Sequence, residues 1–226
     1  MKKIIYLFLA IIVFGTNLKA ETGLGLVLGL ATPNDKINDV YNSSKLNNTI
    51  WREGSKSGYN LGLKLRVPLT EDFTLIGSAS WNRFPETEMN IGIPKSDPTI
   101  TKLDTIVLTT TQNVFPLTAG FNYYLINSFM GLYGTGELSY NFISSTVNYK
   151  KNDVAIPLNL DTAPMDSRVG VGLGLGADID AKLVLLNLEA KYNISNLIGK
   201  SGDEPTKSYF TLTLGVFFGG AAKQKK

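Results

Sequence analysis

Residues 59–69 read YNLGLKLRVPL. Tyr59, Leu61, Leu63, Leu65, Val67 and Leu69 fall on one parity, and Asn60, Gly62, Lys64, Arg66 and Pro68 fall on the other. A period of two is the signature of a β-strand with one oily face and one polar face. Residues 23–31 repeat it, with Leu24, Leu26, Leu28 and Leu30 alternating with Gly23, Gly25, Val27 and Gly29.

The pattern continues along the chain. Phe73, Leu75, Gly77, Ala79 and Trp81 share a face, with Ile76 an apolar exception on the other. Phe115 to Leu125 and Met130 to Phe142 alternate in the same way. So do Arg168 to Ile179, Val184 to Ile194 and Tyr209 to Phe218. This gives eight segments close to the 9–11 residues that a tilted membrane strand needs. Residues 70–72, 126–128 and 180–182 read as tight turns, whereas 32–57, 85–112, 143–167 and 195–208 are long and polar. Strict short–long alternation predicts an all-β, eight-stranded, antiparallel, up-and-down transmembrane β-barrel, with short turns in the periplasm and four long loops outside.

Composition supports a barrel. Beyond residue 20 no apolar run is long enough for a transmembrane helix, although 43% of the chain is hydrophobic. Backbone polar groups in hydrocarbon must all be bonded, so a chain that crosses without helices must close into a barrel. Lys2 and Lys3 precede the apolar run Ile4 to Phe14, and Ala20 follows. That arrangement predicts a signal peptide over residues 1–20, a barrel over 21–218 and a short basic periplasmic tail over 219–226. The net charge of +3 falls to zero without residues 1–20, so no nucleic-acid partner is expected.

The chain has no cysteine and no histidine. A lipoprotein anchor, disulfides, thiolate metal sites and Ser-His or Cys-His dyads are thereby excluded. No catalytic residue, cofactor or metal site is expected. Gly172-Leu173-Gly174-Leu175-Gly176-Ala177 matches a dinucleotide fingerprint as a string. The fingerprint requires a helix next, and here another strand follows.

Parity turns Lys64, Arg66, Arg168 and Lys191 inward, towards Glu137, Asp178, Asp180 and Glu189. An eight-stranded barrel is just wide enough for side chains to fill it. A salt-bridged polar plug is therefore expected over a pore lining, with Asp180 at a turn and open to solvent. Membrane barrels also carry aromatic girdles at both interfaces. Tyr59, Trp81, Tyr140, Phe142, Tyr192 and Phe210 fall at loop-side ends of strands, and Phe73, Phe121, Tyr123 and Phe218 at turn-side ends. Pro116 lacks a donor inside a strand that has no free edge, which predicts a bulge or a local break. The β-prone run Thr105 to Thr111 reads as an extension of the same hairpin above the bilayer.

These eight strands resemble the small outer-membrane barrels of the OmpX, OmpW and OmpA-barrel groups across residues 21–218. The last strand, ending at Phe218, looks like their C-terminal assembly signal. The resemblance implies outer-membrane lipids as surroundings, the barrel-assembly machinery as a partner during biogenesis, and a monomer. It allows a surface role towards an unidentified extracellular ligand, with a narrow channel for small solutes as the alternative.

Overall fold

The computed structural model describes residues 22–34, 50–52, 57–93, 104–128, 130–151, 154–155, 166–200 and 206–218. Eight long strands form a closed antiparallel barrel. They are β1 (Gly23–Pro33), β2 (Gly58–Pro68), β3 (Phe73–Ile93), β4 (Asp104–Asn127), β5 (Met130–Lys151), β6 (Asp166–Asp180), β7 (Leu185–Ile198) and β8 (Ser208–Phe218). Each pairs with its sequence neighbour, and β8 returns to β1 from Leu24↔Phe218 to Pro33↔Tyr209. Closure leaves no edge in the membrane, as hydrocarbon demands. The expected signal peptide and tail lie outside the described residues.

The pleat sets the sidedness. Leu28 on the outer face is 59% exposed, and its neighbour Val27 in the lumen is 9% exposed. Leucines of β1, β2, β7 and β8 cover the outside, whereas Lys64, Arg66, Glu137, Asp178 and Glu189 are buried inside. Reversing the faces would bury leucine against charge and leave the cations in lipid.

Two tight turns are well defined. At the β2–β3 turn, the Leu69 and Thr70 amides donate to the Phe73 carbonyl at 2.9 and 3.1 Å. At the β6–β7 turn, the Asp180 carboxylate accepts from the Lys182 amide at 2.7 Å, and Lys182 takes a left-handed φ of 69°.

The other end differs from expectation. Residues 85–112 and 143–167 are not mainly loop, because β3, β4 and β5 run on to Ile93, from Asp104 and to Lys151. The run Thr105 to Thr111 is continuous with β4. Two short strands, Ile50–Arg52 on β3 and Val154–Ala155 on β5, widen this raised sheet. Outside lipid a ladder needs no oily face, so its alternation fades from the sequence while its pairing persists.

Of the two outcomes expected at Pro116, the structure shows the local break and not the bulge. The pairing of Pro116 with Asn141 of β5 is regular. Towards β3, the register passes from Ala79↔Leu117 to Asn82↔Val114 with two pairs missing and no slip. Those two pairs are the ones that would use an N–H of residue 116 donated to the Ser80 carbonyl, which proline lacks. The bulge lies further along, where Pro85 and Glu86 face the single Thr111 between Phe84↔Gln112 and Thr87↔Thr110.

Candidate functional site: the closed lumen

The inward parity of β2, β5, β6 and β7 brings six charged side chains together in two groups. At mid-height, Lys64 Nζ lies 2.6 Å from Glu189 and 3.4 Å from Glu137. Lys191 Nζ lies 2.6 Å from Glu137 and 3.7 Å from Glu189. Each cation thus touches both anions, so the group carries no net charge and has little Coulomb field to offer a passing ion.

Nearer the turns, Arg66 is fully buried and donates to Asp178 at 2.6 Å and to the Tyr133 hydroxyl at 3.2 Å. Its guanidinium lies 4.0 Å from the centre of the Phe217 ring. Asp178 accepts further from the Tyr124 hydroxyl at 2.6 Å and from Asn187 at 2.8 Å. Tyr133 links the two groups by donating to Glu189 at 2.9 Å. Low dielectric strengthens such a network when its members are satisfied, and it leaves a large penalty when one is removed.

Parity alone marks Tyr124, Tyr133, Asn187 and Phe217 as inward, but being neutral they carry no sign of belonging to a charge network. Glycines make room for them. A Cβ at Gly176 would overlap the Tyr133 ring, and one at Gly25 would overlap Phe217. The glycines of Gly172-Leu173-Gly174-Leu175-Gly176 lie within β6 and open no helix.

Arg168 sits at the loop-side end, donates to the Ser167 carbonyl at 3.1 Å and stands apart from both groups. Asp180 belongs to the β6–β7 turn. Of the charges that parity turns inward, six therefore meet and these two do not.

The mid-height charges border a polar cavity of about 40 Å³, lined also by residues that include Asn60, Ser78, Thr118, Ser139 and Thr213. That is room for about three waters. Asn60 donates to Asn82 at 2.7 Å, and Ser78 and Thr118 share a hydrogen bond of 2.7 Å. A buried apolar cluster of Ala31, Phe84, Val114, Ile143 and Tyr209 caps this chamber on the loop side. Val27, which also lines the chamber, forms a second cluster with Leu185 and Phe217 of the turn side. Among the described residues, buried apolar side chains thus flank the chamber on both sides.

The outer face carries aromatic residues near both ends of the strands. Tyr59 meets Trp81 edge-on at 5.4 Å, Trp81 stacks on Phe115 at 6.0 Å, and Tyr140 meets Phe142 at 5.1 Å. At the turn side, Phe73 stacks on Phe121 at 5.4 Å next to exposed Tyr123, and Phe218 is exposed at the end of β8. Tyr192 and Phe210 are exposed as cross-strand partners at the loop side.

This architecture agrees with sequence comparison. A family model described as "Outer membrane protein beta-barrel domain" matches residues 6–218. The chain belongs to the outer membrane protein beta-barrel domain family. As a member of that family it is an outer-membrane protein, and its leucine face lies against lipid. Solved outer-membrane proteins align with the chain at low identity. Ail, the attachment invasion locus protein of Yersinia pestis, is 14% identical with a TM-score of 0.42, over 89% of this chain and 100% of that one. Neisserial surface protein A is 13% identical with a TM-score of 0.47, over 87% and 96%. OprG from Pseudomonas aeruginosa is 14% identical with a TM-score of 0.47, over 88% and 96%. No curated protein matches the chain.

Proposed function

We propose that this family member is a non-enzymatic outer-membrane anchor whose working surface is its four extracellular connections and the raised sheet of β3, β4 and β5. The observation that carries this reading is the filled lumen. Two apolar clusters and a charge-neutral network occupy the barrel axis, which supports an anchor over an axial channel. The raised strands support a surface role, since they place about as much β-structure beyond the loop-side girdle as a membrane strand places within it.

In this reading residues 1–20 are removed on export, the start of β1 and the end of β8 lie in the periplasm, and the β8 strand ending at Phe218 is read by the assembly machinery. The lumen charges Lys64, Arg66, Glu137, Asp178, Glu189 and Lys191 act as a polar core, with Arg168 at its outer rim. The aromatic residues hold the barrel at its depth in lipid. The protein works as a monomer towards a ligand outside the cell.

Epitope insertion in intact cells tests the sidedness. A tag placed between residues 96 and 100 is expected to stain without permeabilisation, and a tag at residues 70–72 only after it. The opposite pattern overturns the proposal. Vesicles carrying the protein should also swell in a small sugar no faster than empty vesicles.

A further inference from the structure

The β3–β4 wall is thin and incompletely bonded at one level. Gly62 of β2, Ser80 of β3 and Pro116 of β4 follow one another around the barrel there, with Gly62 paired to Ser80. The ladder lapses at Ser80/Pro116 because proline has no donor for the Ser80 carbonyl. In hydrocarbon a carbonyl without a donor is costly, so this position favours any group that brings one.

Both sides of the wall are concave at this level. On the inside, Gly62, Ser80 and Pro116 line the polar chamber. On the outside, the same three residues form the floor of an apolar groove of about 580 Å³, walled by Leu61, Leu63, Trp81, Phe115 and Leu117. The groove starts at the loop-side girdle, where Trp81 stacks on Phe115. It continues towards the turns past small residues, since Ala79 pairs with Leu117 and Gly77 with Ala119. A Cβ at Gly77 would meet only the Thr118 carbonyl, at 3.7 Å. The Phe73–Phe121 stack stands further along the same ladder.

We propose that this groove binds a single-chain amphiphile dissolved in the outer leaflet, with its tail along Ala79 and Gly77 and a hydrogen-bond-donating head at the Ser80 carbonyl. The tail matches the apolar walls. The head meets a carbonyl that lacks its ladder donor. The head carries no net charge, because the residues lining the groove offer no counter-charge. This site lies in the barrel wall and is independent of the role proposed for the loops.

Tryptophan quenching tests it. The chain has two tryptophans, so Trp51→Phe leaves Trp81, in the groove, as the only reporter. The full-length protein in phospholipid vesicles is titrated with a long-chain alcohol brominated in mid-chain. Quenching is expected to saturate and to be reversed by the unbrominated alcohol. The matching methyl ester, which has no donor, should compete about two- to tenfold more weakly, the worth of one hydrogen bond. Pro116→Ala supplies the missing ladder donor and should weaken the alcohol by a similar factor. Ala79→Leu fills the groove from the lipid side and should abolish saturation, so a folding failure of the proline variant leaves the test intact. Quenching that rises linearly with mole fraction, or that is the same for alcohol and ester and unmoved by Ala79→Leu, overturns the proposal and marks the groove as ordinary lipid contact.

Discussion

Replacing Arg66 by Met removes the cation on which the turn-side half of the lumen network depends. The structure sets the size of the effect. Arg66 is 0% exposed and its charge is met by Asp178 at 2.6 Å. Without it, Asp178 stays buried with two donors, Tyr124 at 2.6 Å and Asn187 at 2.8 Å, but no counter-charge. Breaking a buried pair from one side costs about 3–5 kcal/mol. The two remaining hydrogen bonds pull this towards about 3 kcal/mol, and loss of the Phe217 cation–π contact returns about 1 kcal/mol. Equilibrium urea unfolding of the refolded barrel in lipid vesicles should therefore show a lower midpoint with an unchanged slope. Asp178→Leu should cost a comparable amount, because it strands Arg66. The double variant should recover most of the loss, since no charge is then left unpaired, giving a coupling energy of about 2 kcal/mol or more. Single losses below about 1 kcal/mol, or losses that simply add in the double variant, would refute the view that these charges form one balanced core.

Other substitutions probe separate parts of the account. Gly176→Ala should lower stability by about 1–3 kcal/mol, because its Cβ overlaps the Tyr133 ring, whereas Gly134→Ala, with nothing nearby, should stay within about 0.5 kcal/mol in the same assay. Leu28→Arg puts a charge on the lipid face and should cost up to about 2–4 kcal/mol, falling for sites nearer the girdles. Asn122 is fully buried and neither side-chain polar atom has a protein partner, so Asn122→Leu should hold or raise stability by about 1 kcal/mol, and a clear loss on unfolding would contradict that reading. Cysteines at Leu26, Leu63 or Leu186 should resist water-soluble thiol reagents in membranes, and ready labelling at all three would place that face in water.

Parity was enough to read the barrel part of the fold. The alternation from Tyr59 to Val67 orients Lys64 and Arg66 inward, and the same rule orients Glu137, Asp178, Glu189 and Lys191. Parity assigns a face but not a height, and height depends on stagger accumulated around the whole barrel. Arg66 and Arg168 share an inward orientation, yet one reaches Asp178 near the turns and the other stands at the loop-side rim. The pairing of Lys64 with Glu189 spans 125 residues of sequence, and no local pattern specifies it. The raised parts of β3, β4 and β5 were hidden for another reason. Strands beyond the lipid need no continuous oily face, so their alternation fades and Thr105 to Thr111 is the portion that reads as strand-prone. Proline chemistry was legible at Pro116, where a local break was one of the two outcomes expected, but not at Pro85. Pro116 breaks two pairs without shifting the register, whereas Pro85, in a stretch that reads as loop, sits at the bulge.

The central claim is that the barrel is closed by its own side chains. Conductance across a planar bilayer tests it most directly, using refolded residues 21–226 with insertion verified by protease protection. A silent bilayer is the predicted result, because two apolar clusters and a charge-neutral network occupy the axis. Stable unitary current steps, altered in ion selectivity by Lys64→Met or Glu137→Gln, would contradict it and make the lumen a pore.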